Sequence, residues 1–212
     1  MKLKEIFITK TSKERLYNIS CPVIGLTGGI ATGKSTVSNL FIENKIPVIC
    51  ADKLVKNIYK EKETILFIKE LFPETICDEN IDFKKLRTTA FSSKENKETI
   101  ESFIYSKLPS AFNLEFSKLN TPDLLIYDVP LLFEKKMQNL FDLTVCVYAK
   151  REIQIERIIK RDQSSFELAE KILANQMPID KKKELSDFCI KNNKGLDKLE
   201  LEFEALISLI LE

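Results

Sequence analysis

The sequence predicts an α/β fold in which a five-stranded parallel sheet is flanked by helices. Five short apolar runs have the length and composition of buried strands, and helical patterns separate them. Strands that alternate with helices form mainly parallel sheets that are covered on both faces. A glycine-rich stretch also lies between the first apolar run and a helical pattern. Ligands of such sheets bind beyond the carboxyl ends of the strands, so the residues that follow each strand are the candidates for function.

The predicted strands and helices alternate along most of the chain. The first strand, residues 23–26, leads into the glycine-rich stretch, and a helix follows from about Ser35. Later apolar runs predict four more strands, at residues 47–51, 124–127, 144–148 and 188–190. The clearest helical patterns elsewhere cover residues 63–72, 97–119, 151–183 and 196–211. The last of these is amphipathic, and we expect it to pack on the sheet.

The glycine-rich stretch matches the phosphate-binding pattern G-x-x-x-x-G-K-[ST]. Glycines let the backbone fold around a phosphate chain with its N–H groups inward, and the next helix adds the positive end of its dipole. Lys34 can reach the β- and γ-phosphates, while Ser35 can place its hydroxyl on Mg²⁺. A glycine-rich turn that matches by chance is the alternative. We predict that ATP is bound by the whole stretch, which consists of Gly28, Gly29, Ile30, Ala31, Thr32, Gly33, Lys34, Ser35 and Thr36.

Composition limits the partners that this loop can serve. The 212 residues carry 33 basic and 32 acidic side chains, for a net charge of +1. This balance argues against a general nucleic-acid or membrane-surface binder and favours a small nucleotide. No apolar run approaches the roughly 18–20 residues of a membrane span, and the first residues do not resemble a secretory signal. We therefore expect a cytoplasmic protein.

The cysteine and histidine content narrows the chemistry further. The five cysteines are scattered, without a C-x-x-C pair, which is typical of buried thiols rather than of disulfides or a metal site. The chain contains no histidine. Histidine bases, Ser-His-Asp triads and histidine-ligated zinc are therefore excluded, and a catalytic base must be a carboxylate, lysine, tyrosine or cysteine.

Three segments outside the sheet differ in their expected roles. Residues 1–20 form an N-terminal extension, which we expect to be a solvated arm or a helix on the surface, ahead of one main domain at residues 21–212. Residues 53–120 are long for a single crossover and predict a helical insertion that suits a second substrate. Residues 151–183 are helical and charged, and resemble a mobile lid.

Acidic residues follow two of the predicted strands. Asp52 could accept the proton of an attacking hydroxyl or hold a water on Mg²⁺, but it could equally be a helix N-cap. Asp128 is preceded by four apolar residues, which is the usual form of an acid that reaches the Mg²⁺ shell; a turn residue is the alternative. Glu134 is a weaker candidate, and a cap or an ion pair on the surface is the alternative for it.

Two arginines in the predicted lid are candidates for binding phosphate. Arg157 and Arg161 are four residues apart and would share a helix face. Guanidinium groups there can close over transferring phosphates and stabilise their charge. A solvated basic helix face is the alternative, and after a phosphate loop we favour function for at least one of the two.

With these residues, the sequence resembles the dephospho-coenzyme A kinase family, and the resemblance covers nearly the whole chain from Val23 to the C-terminus. Two stretches make the resemblance specific: the T-G-G-I that opens the phosphate loop and the P-L-L-F-E that follows Asp128. Its other marks are Ala51-Asp52, Arg157 with Arg161-Asp162, Ala174-Asn175-Gln176-Met177 and Asn192-Asn193.

The resemblance implies a P-loop kinase fold of the nucleoside-monophosphate-kinase type, with a coenzyme-binding helical part and a lid. It implies transfer of the ATP γ-phosphoryl group to the ribose 3′-hydroxyl of dephospho-CoA, with Mg²⁺. Asp52 would be the general base, Lys34 and the loop amides would hold the phosphates, and Ser35 and Asp128 would serve the metal. Arg157 and Arg161 would act from the lid, and Asn193 would lie near the adenine. We expect a monomer or a weak homo-oligomer.

Some positions depart from the family pattern. Tyr105-Ser106 stands where His-Pro is usual, and Cys50 and Lys194 replace a frequent acid and glycine. Two alternatives therefore stay open. One is a related P-loop small-molecule kinase with another acceptor, and the other is a nucleotide-binding regulatory protein without transfer activity.

Overall fold

A computed structural model describes all residues, 1–212, of the chain. Its strands are β1 (Val23–Gly28), β2 (Val48–Cys50), β3 (Ile76–Cys77), β4 (Asn80–Ile81), β5 (Leu125–Asp128), β6 (Leu143–Tyr148) and β7 (Phe188–Lys191). Its α-helices are α1 (Lys34–Glu43), α2 (Ala51–Ile58), α3 (Lys62–Leu71), α4 (Phe83–Ser92), α5 (Lys94–Ser117), α6 (Arg151–Asp162), α7 (Phe166–Ala174), α8 (Ile179–Leu185) and α9 (Leu196–Ile210). None of these helices has the length and apolar character needed to cross a bilayer.

The main sheet has five parallel strands in the order β2-β5-β1-β6-β7. Strand β1 lies at its centre because all six of its residues are small or apolar enough to be buried on both faces. Its neighbours are β5, with Leu26 opposite Asp128, and β6, with Gly28 opposite Val147. The predicted five-stranded parallel sheet is therefore confirmed, and the ends of β1 and β5 meet at one edge.

Two helices cover one face of this sheet. Residues Val37 and Phe41 of α1 and Phe203 of α9 belong to the main core together with strand residues such as Leu26 and Val145. The rings of Phe41 and Phe203 meet edge to face with their centroids 4.9 Å apart. The amphipathic pattern predicted for residues 196–211 thus corresponds to α9, which buries its apolar face in this core.

The chain divides into two units, residues 1–50 with 119–212 and residues 51–118. The second unit consists of α2 to α5 and a hairpin of β3 and β4, and it has an apolar core of its own. Within it the rings of Phe67 and Phe103 stack at 3.8 Å between centroids. The helices predicted at 63–72 and 97–119 correspond to α3 and α5. Neither the hairpin nor α4 was predicted.

The expectation of a solvated arm or surface helix for residues 1–20 is wrong. The segment forms no α-helix, and Leu3, Arg15 and Leu16 are buried. Leu3 forms a β-bridge with Leu211, and Arg15 forms an ion pair with Asp142 at 2.7 Å. Burial of a guanidinium group is tolerated because its charge is paired with a carboxylate that also accepts the Val23 N–H at 2.9 Å. The extension therefore contributes Leu3 to the main core and buries Arg15 and Leu16 in the same unit.

Candidate active site

The phosphate loop, residues 28–36, connects the end of β1 to the first turn of α1. Gly33 is the N-cap of α1 and has φ 92°, a left-handed conformation that favours glycine. A Cβ at Gly33 would lie 2.2 Å from Nδ2 of Asn192, so the space also requires glycine. Inside the loop, the Thr32 hydroxyl donates to the Gly29 carbonyl at 2.9 Å. Thr32 is buried, while Ser35 is exposed at the start of the helix.

The lysine of the loop is bound to the acid at the end of β5. Lys34 Nζ forms an ion pair with Asp128 Oδ1, and Ser38 Oγ donates to Asp128 Oδ2 at 2.8 Å. Asp128 is only 3% exposed, which a carboxylate tolerates because both of its oxygens are bound. The structure thus brings together the two side chains that the sequence selected for phosphate and metal. The turn-residue alternative for Asp128 does not account for these bonds.

Two glutamines hold the Ile30 backbone in the middle of the loop. Gln154 of α6 donates to the Ile30 carbonyl at 2.6 Å, and Gln176 accepts the Ile30 N–H at 3.2 Å. Gln154 is buried at 2% exposure. Gln176 lies in one of the stretches that carry the family resemblance, but no local signal marked Gln154, because a single glutamine in a charged helix resembles any surface residue.

Arg157 and Asn192 form a second support behind the loop. The Arg157 guanidinium donates to the Ala31 carbonyl at 3.1 Å and to the Asn192 carbonyl at 3.0 Å. The Asn192 amide in turn donates to the Thr32 carbonyl at 2.8 Å. Each side chain therefore binds one carbonyl of the loop, and Arg157 also binds Asn192. The predicted action of Arg157 on the transferring phosphates stays a prediction.

The other two lid-side candidates make different contacts. Arg161 is exposed, and its guanidinium binds the neighbouring Asp162 carboxylate at 2.7 Å, which raises the pKa of Arg161. Asn193 accepts the Lys150 N–H at 2.9 Å, at the residue before α6. Neither side chain has a bond to the loop, and their predicted roles toward ATP remain predictions.

A buried lysine that the sequence did not single out lies beneath the loop. Lys182 of α8 has no exposed surface, and its Nζ lies 2.9 Å from Glu134 Oε1 and 2.6 Å from the Pro130 carbonyl. Glu134 also accepts the Met177 N–H at 3.0 Å. Glu134 does form an ion pair, but its partner is a buried lysine and not a residue on the surface. No signal in the sequence marked Lys182, because it is the middle one of three consecutive lysines, and the other two are exposed.

Asp52, the candidate base, belongs to the other unit of the structure. It is the second residue of α2 and is exposed, so it lies inside the helix rather than at its N-cap. Its chain position is two residues after Cys50, which ends β2 and lies opposite Asp128 in the sheet. The acid therefore follows the carboxyl end of a strand, as the sequence predicted.

Two of the buried cysteines, Cys21 and Cys146, are poor candidates for a nucleophile or a base. Burial raises the pKa of Cys146 to about 12 and that of Cys21 to about 11. Both thiols are therefore protonated at neutral pH.

All five cysteines are free, and no group of three histidine, cysteine or acidic residues could hold a metal by itself. Magnesium in kinases needs no such group, since one or two protein oxygens act together with phosphate oxygens and water. The Asp128 carboxylate and the Ser35 hydroxyl are oxygen donors of this type.

Comparison with known proteins decides the family. The family model for dephospho-CoA kinase matches residues 22–198. The chain belongs to the dephospho-CoA kinase family. The matched range contains the whole phosphate loop, Asp128, the Lys182–Glu134 pair and the unit of residues 51–118.

Individual family members are similar over most of their length. A dephospho-CoA kinase of Fusobacterium nucleatum is 39% identical over 183 residues, which cover 85% of this chain and 94% of that protein. A dephospho-CoA kinase of Arabidopsis thaliana is 34% identical over a stretch that covers 87% of this chain and 82% of that protein. Among solved structures, a protein of Thermus thermophilus superposes with a TM-score of 0.80 at 29% identity, covering 89% and 97%. The dephospho-CoA kinase of Campylobacter jejuni superposes with a TM-score of 0.65 at 27% identity, covering 88% and 95%.

The close packing around Gly33 makes a testable prediction about the loop. We expect Gly33→Ala to lower the affinity for Mg-ADP by about tenfold or more, because the new methyl group strains the backbone and displaces Asn192 from Thr32. Isothermal titration calorimetry measures the effect.

Gly195→Ala is the matched control, because Gly195 also has a φ near 90° but its Cβ would meet no atom within 4 Å. We expect this variant to be less stable and yet to bind Mg-ADP within about twofold of the parent. Parental affinity in folded Gly33→Ala would contradict the geometry described for the loop.

Proposed function

We propose that this chain transfers the γ-phosphoryl group of ATP to the ribose 3′-hydroxyl of dephospho-CoA and releases coenzyme A and ADP, the last step of coenzyme A biosynthesis. The observation that carries the proposal is the Lys34–Asp128 pair at the mouth of a phosphate loop, in a chain of the dephospho-CoA kinase family. A lysine at this position of a phosphate loop binds the β- and γ-phosphates, and a carboxylate beside it helps to hold the Mg²⁺ that accompanies them.

The reaction that we propose forms one bond and breaks one. The 3′-oxygen of the acceptor attacks the γ-phosphorus, and the bond from that phosphorus to the β–γ bridging oxygen breaks, so that ADP leaves. The proton of the hydroxyl goes to the carboxylate of Asp52. A carboxylate suits this role because the chain has no histidine and because burial keeps the Cys21 and Cys146 thiols protonated.

Charge neutralisation is the main task that we assign to the remaining residues. Lys34 and the N–H groups of the loop would bind the phosphates of ATP, with the N-terminus of α1 adding its dipole. Ser35 and Asp128 would hold Mg²⁺, which when bound screens the negative charge of the β- and γ-phosphates. Release of Lys34 from Asp128 toward the phosphates would accompany nucleotide binding.

The arginines and the insertion complete the proposal. The contacts of Arg157 with Ala31 and Asn192 favour a role in holding the loop in place while the phosphoryl group is transferred. Arg161 and Asn193 would act toward ATP, with Asn193 on the adenine side. The insertion at residues 53–120 would bind dephospho-CoA, and residues 151–183 would form the lid. A cytoplasmic location and a monomer or weak homo-oligomer remain predictions.

A coupled ADP-release assay tests the acceptor. Purified protein with ATP and Mg²⁺ is expected to release ADP with dephospho-CoA at least about tenfold faster than with adenosine, AMP or no acceptor, because only the correct acceptor places a hydroxyl at the γ-phosphorus. Equal rates with and without dephospho-CoA would contradict the proposal. Faster release with AMP would favour the related small-molecule kinase instead.

The role of Asp52 makes a separate prediction. Asp52→Asn is expected to lower kcat by about 10²–10⁴-fold and to leave the Kd of Mg-ADP nearly unchanged, because a positioned base acts on the proton and not on the phosphates. Steady-state kinetics and calorimetry measure the two quantities.

Asp197→Asn is the matched control for the loss of a negative charge near a helix N-terminus. Asp197 is the second residue of α9, as Asp52 is of α2, and both are exposed. We expect parental kinetics in this control. A parental kcat in Asp52→Asn would remove Asp52 from the role of base.

A further inference from the structure

The charge of Lys182 is fully enclosed by protein. The residue has no exposed surface, and its three acceptors are Pro130 O at 2.6 Å, Glu134 Oε1 at 2.9 Å and Gly28 O at 3.4 Å. An ammonium group has three protons to donate, so this set matches its capacity. A buried charge is costly unless it is paired and hydrogen-bonded, whereas an apolar side chain of similar size would fill the same volume without that cost.

The two carbonyls that Lys182 binds belong to the two segments that form the site. Gly28 ends β1 and begins the phosphate loop, and Pro130 lies two residues beyond Asp128. The peptide bond is planar, so fixing the Gly28 carbonyl also fixes the direction of the Gly29 N–H. The Pro130 carbonyl is shared with the Thr27 hydroxyl, which donates to it at 3.2 Å. Lys182 therefore ties the start of the loop to the segment that carries Asp128.

Glu134 supplies the opposite charge and connects the lysine to a third segment. Its Oε1 accepts both Lys182 Nζ and the Met177 N–H, whereas its Oε2 is buried without a hydrogen bond. Met177 follows Gln176, the residue that accepts the Ile30 N–H of the loop. The segment before α8 and the loop are thus joined through the same group of side chains.

We propose that Lys182 is a positioning residue of the phosphate loop, which sets the direction of the first loop peptide and the place of Asp128 relative to Lys34. It contacts no reacting group itself. A lysine that served only the stability of α8 would also need three acceptors, but these would not have to come from the two segments that form the site. The inference rests on the proposed function only where turnover is measured, since nucleotide affinity tests it independently.

Nucleotide affinity in three variants tests the proposal. Calorimetry with Mg-ADP is expected to show about tenfold weaker binding in Lys182→Met, because the loop loses its fixed first peptide. Lys182→Arg keeps a buried cation that can still donate to the carbonyls, and it is expected to bind Mg-ADP more tightly than Lys182→Met, although its larger planar group fits the enclosed site less well than lysine. Lys181→Met is the control, since Lys181 is exposed and pairs only with Glu184, and it is expected to bind as the parent does.

A turnover assay separates positioning from simple stability. In folded Lys182→Met we expect kcat to fall by about tenfold or more while the KM for dephospho-CoA changes by less than about twofold, because the defect lies on the nucleotide side. If the Met variant does not fold, Lys182→Gln is used, whose amide can bind one carbonyl and which is expected to weaken Mg-ADP binding several-fold. A folded Met or Gln variant with a lowered unfolding temperature but parental Mg-ADP affinity would overturn the proposal. A parent that binds Mg-ADP but does not turn over dephospho-CoA would overturn the proposed function and not this inference.

Discussion

The ion pair between Lys34 and Asp128 joins the first residue of α1 to the last residue of β5. It can form because β5 lies beside β1 in the sheet, so that the acid ends its strand where the loop begins. Asp128 is buried and Lys34 is partly buried, so the carboxylate would be costly without a positive partner. This requirement also accounts for the neighbouring serine of α1. Ser38 binds the second carboxylate oxygen, so both oxygens of Asp128 have a partner.

The loop is supported mainly by side chains that bind its backbone. Gln154 and Gln176 hold Ile30, Arg157 holds Ala31, Asn192 holds Thr32 and Lys182 holds Gly28. All five come from residues 151–192. Four of these side chains donate to carbonyls of the loop, which need donors, and Gln176 accepts the Ile30 N–H. Residues 151–183, which the sequence predicted to be a mobile lid, therefore also support the backbone of the loop, and the mobility of this segment stays a prediction.

The sheet and the loop could be predicted from the sequence because their signals are local. Apolar runs mark the strands of the main sheet, and the loop pattern needs glycines at fixed spacing. The supports could not be predicted, because Lys182 and Gly28 are 154 positions apart and Arg15 and Asp142 are 127 apart. Such partners meet only through the topology of the sheet. The hairpin of β3 and β4 was missed because each strand has two residues and its turn, Asp78-Glu79, reaches positive φ without glycine.

The geometry of the loop concerns the binding of the nucleotide and gives less information on the acceptor. The position of the hydroxyl that receives the phosphate is therefore the most important quantity to measure. Phosphorus NMR of the product formed from dephospho-CoA measures that position. We expect one new phosphomonoester resonance, coupled to the ribose 3′ proton, for each ADP released. A phosphate on another hydroxyl, or inorganic phosphate without a phosphorylated acceptor, would contradict the assignment of this chain as a 3′-hydroxyl kinase.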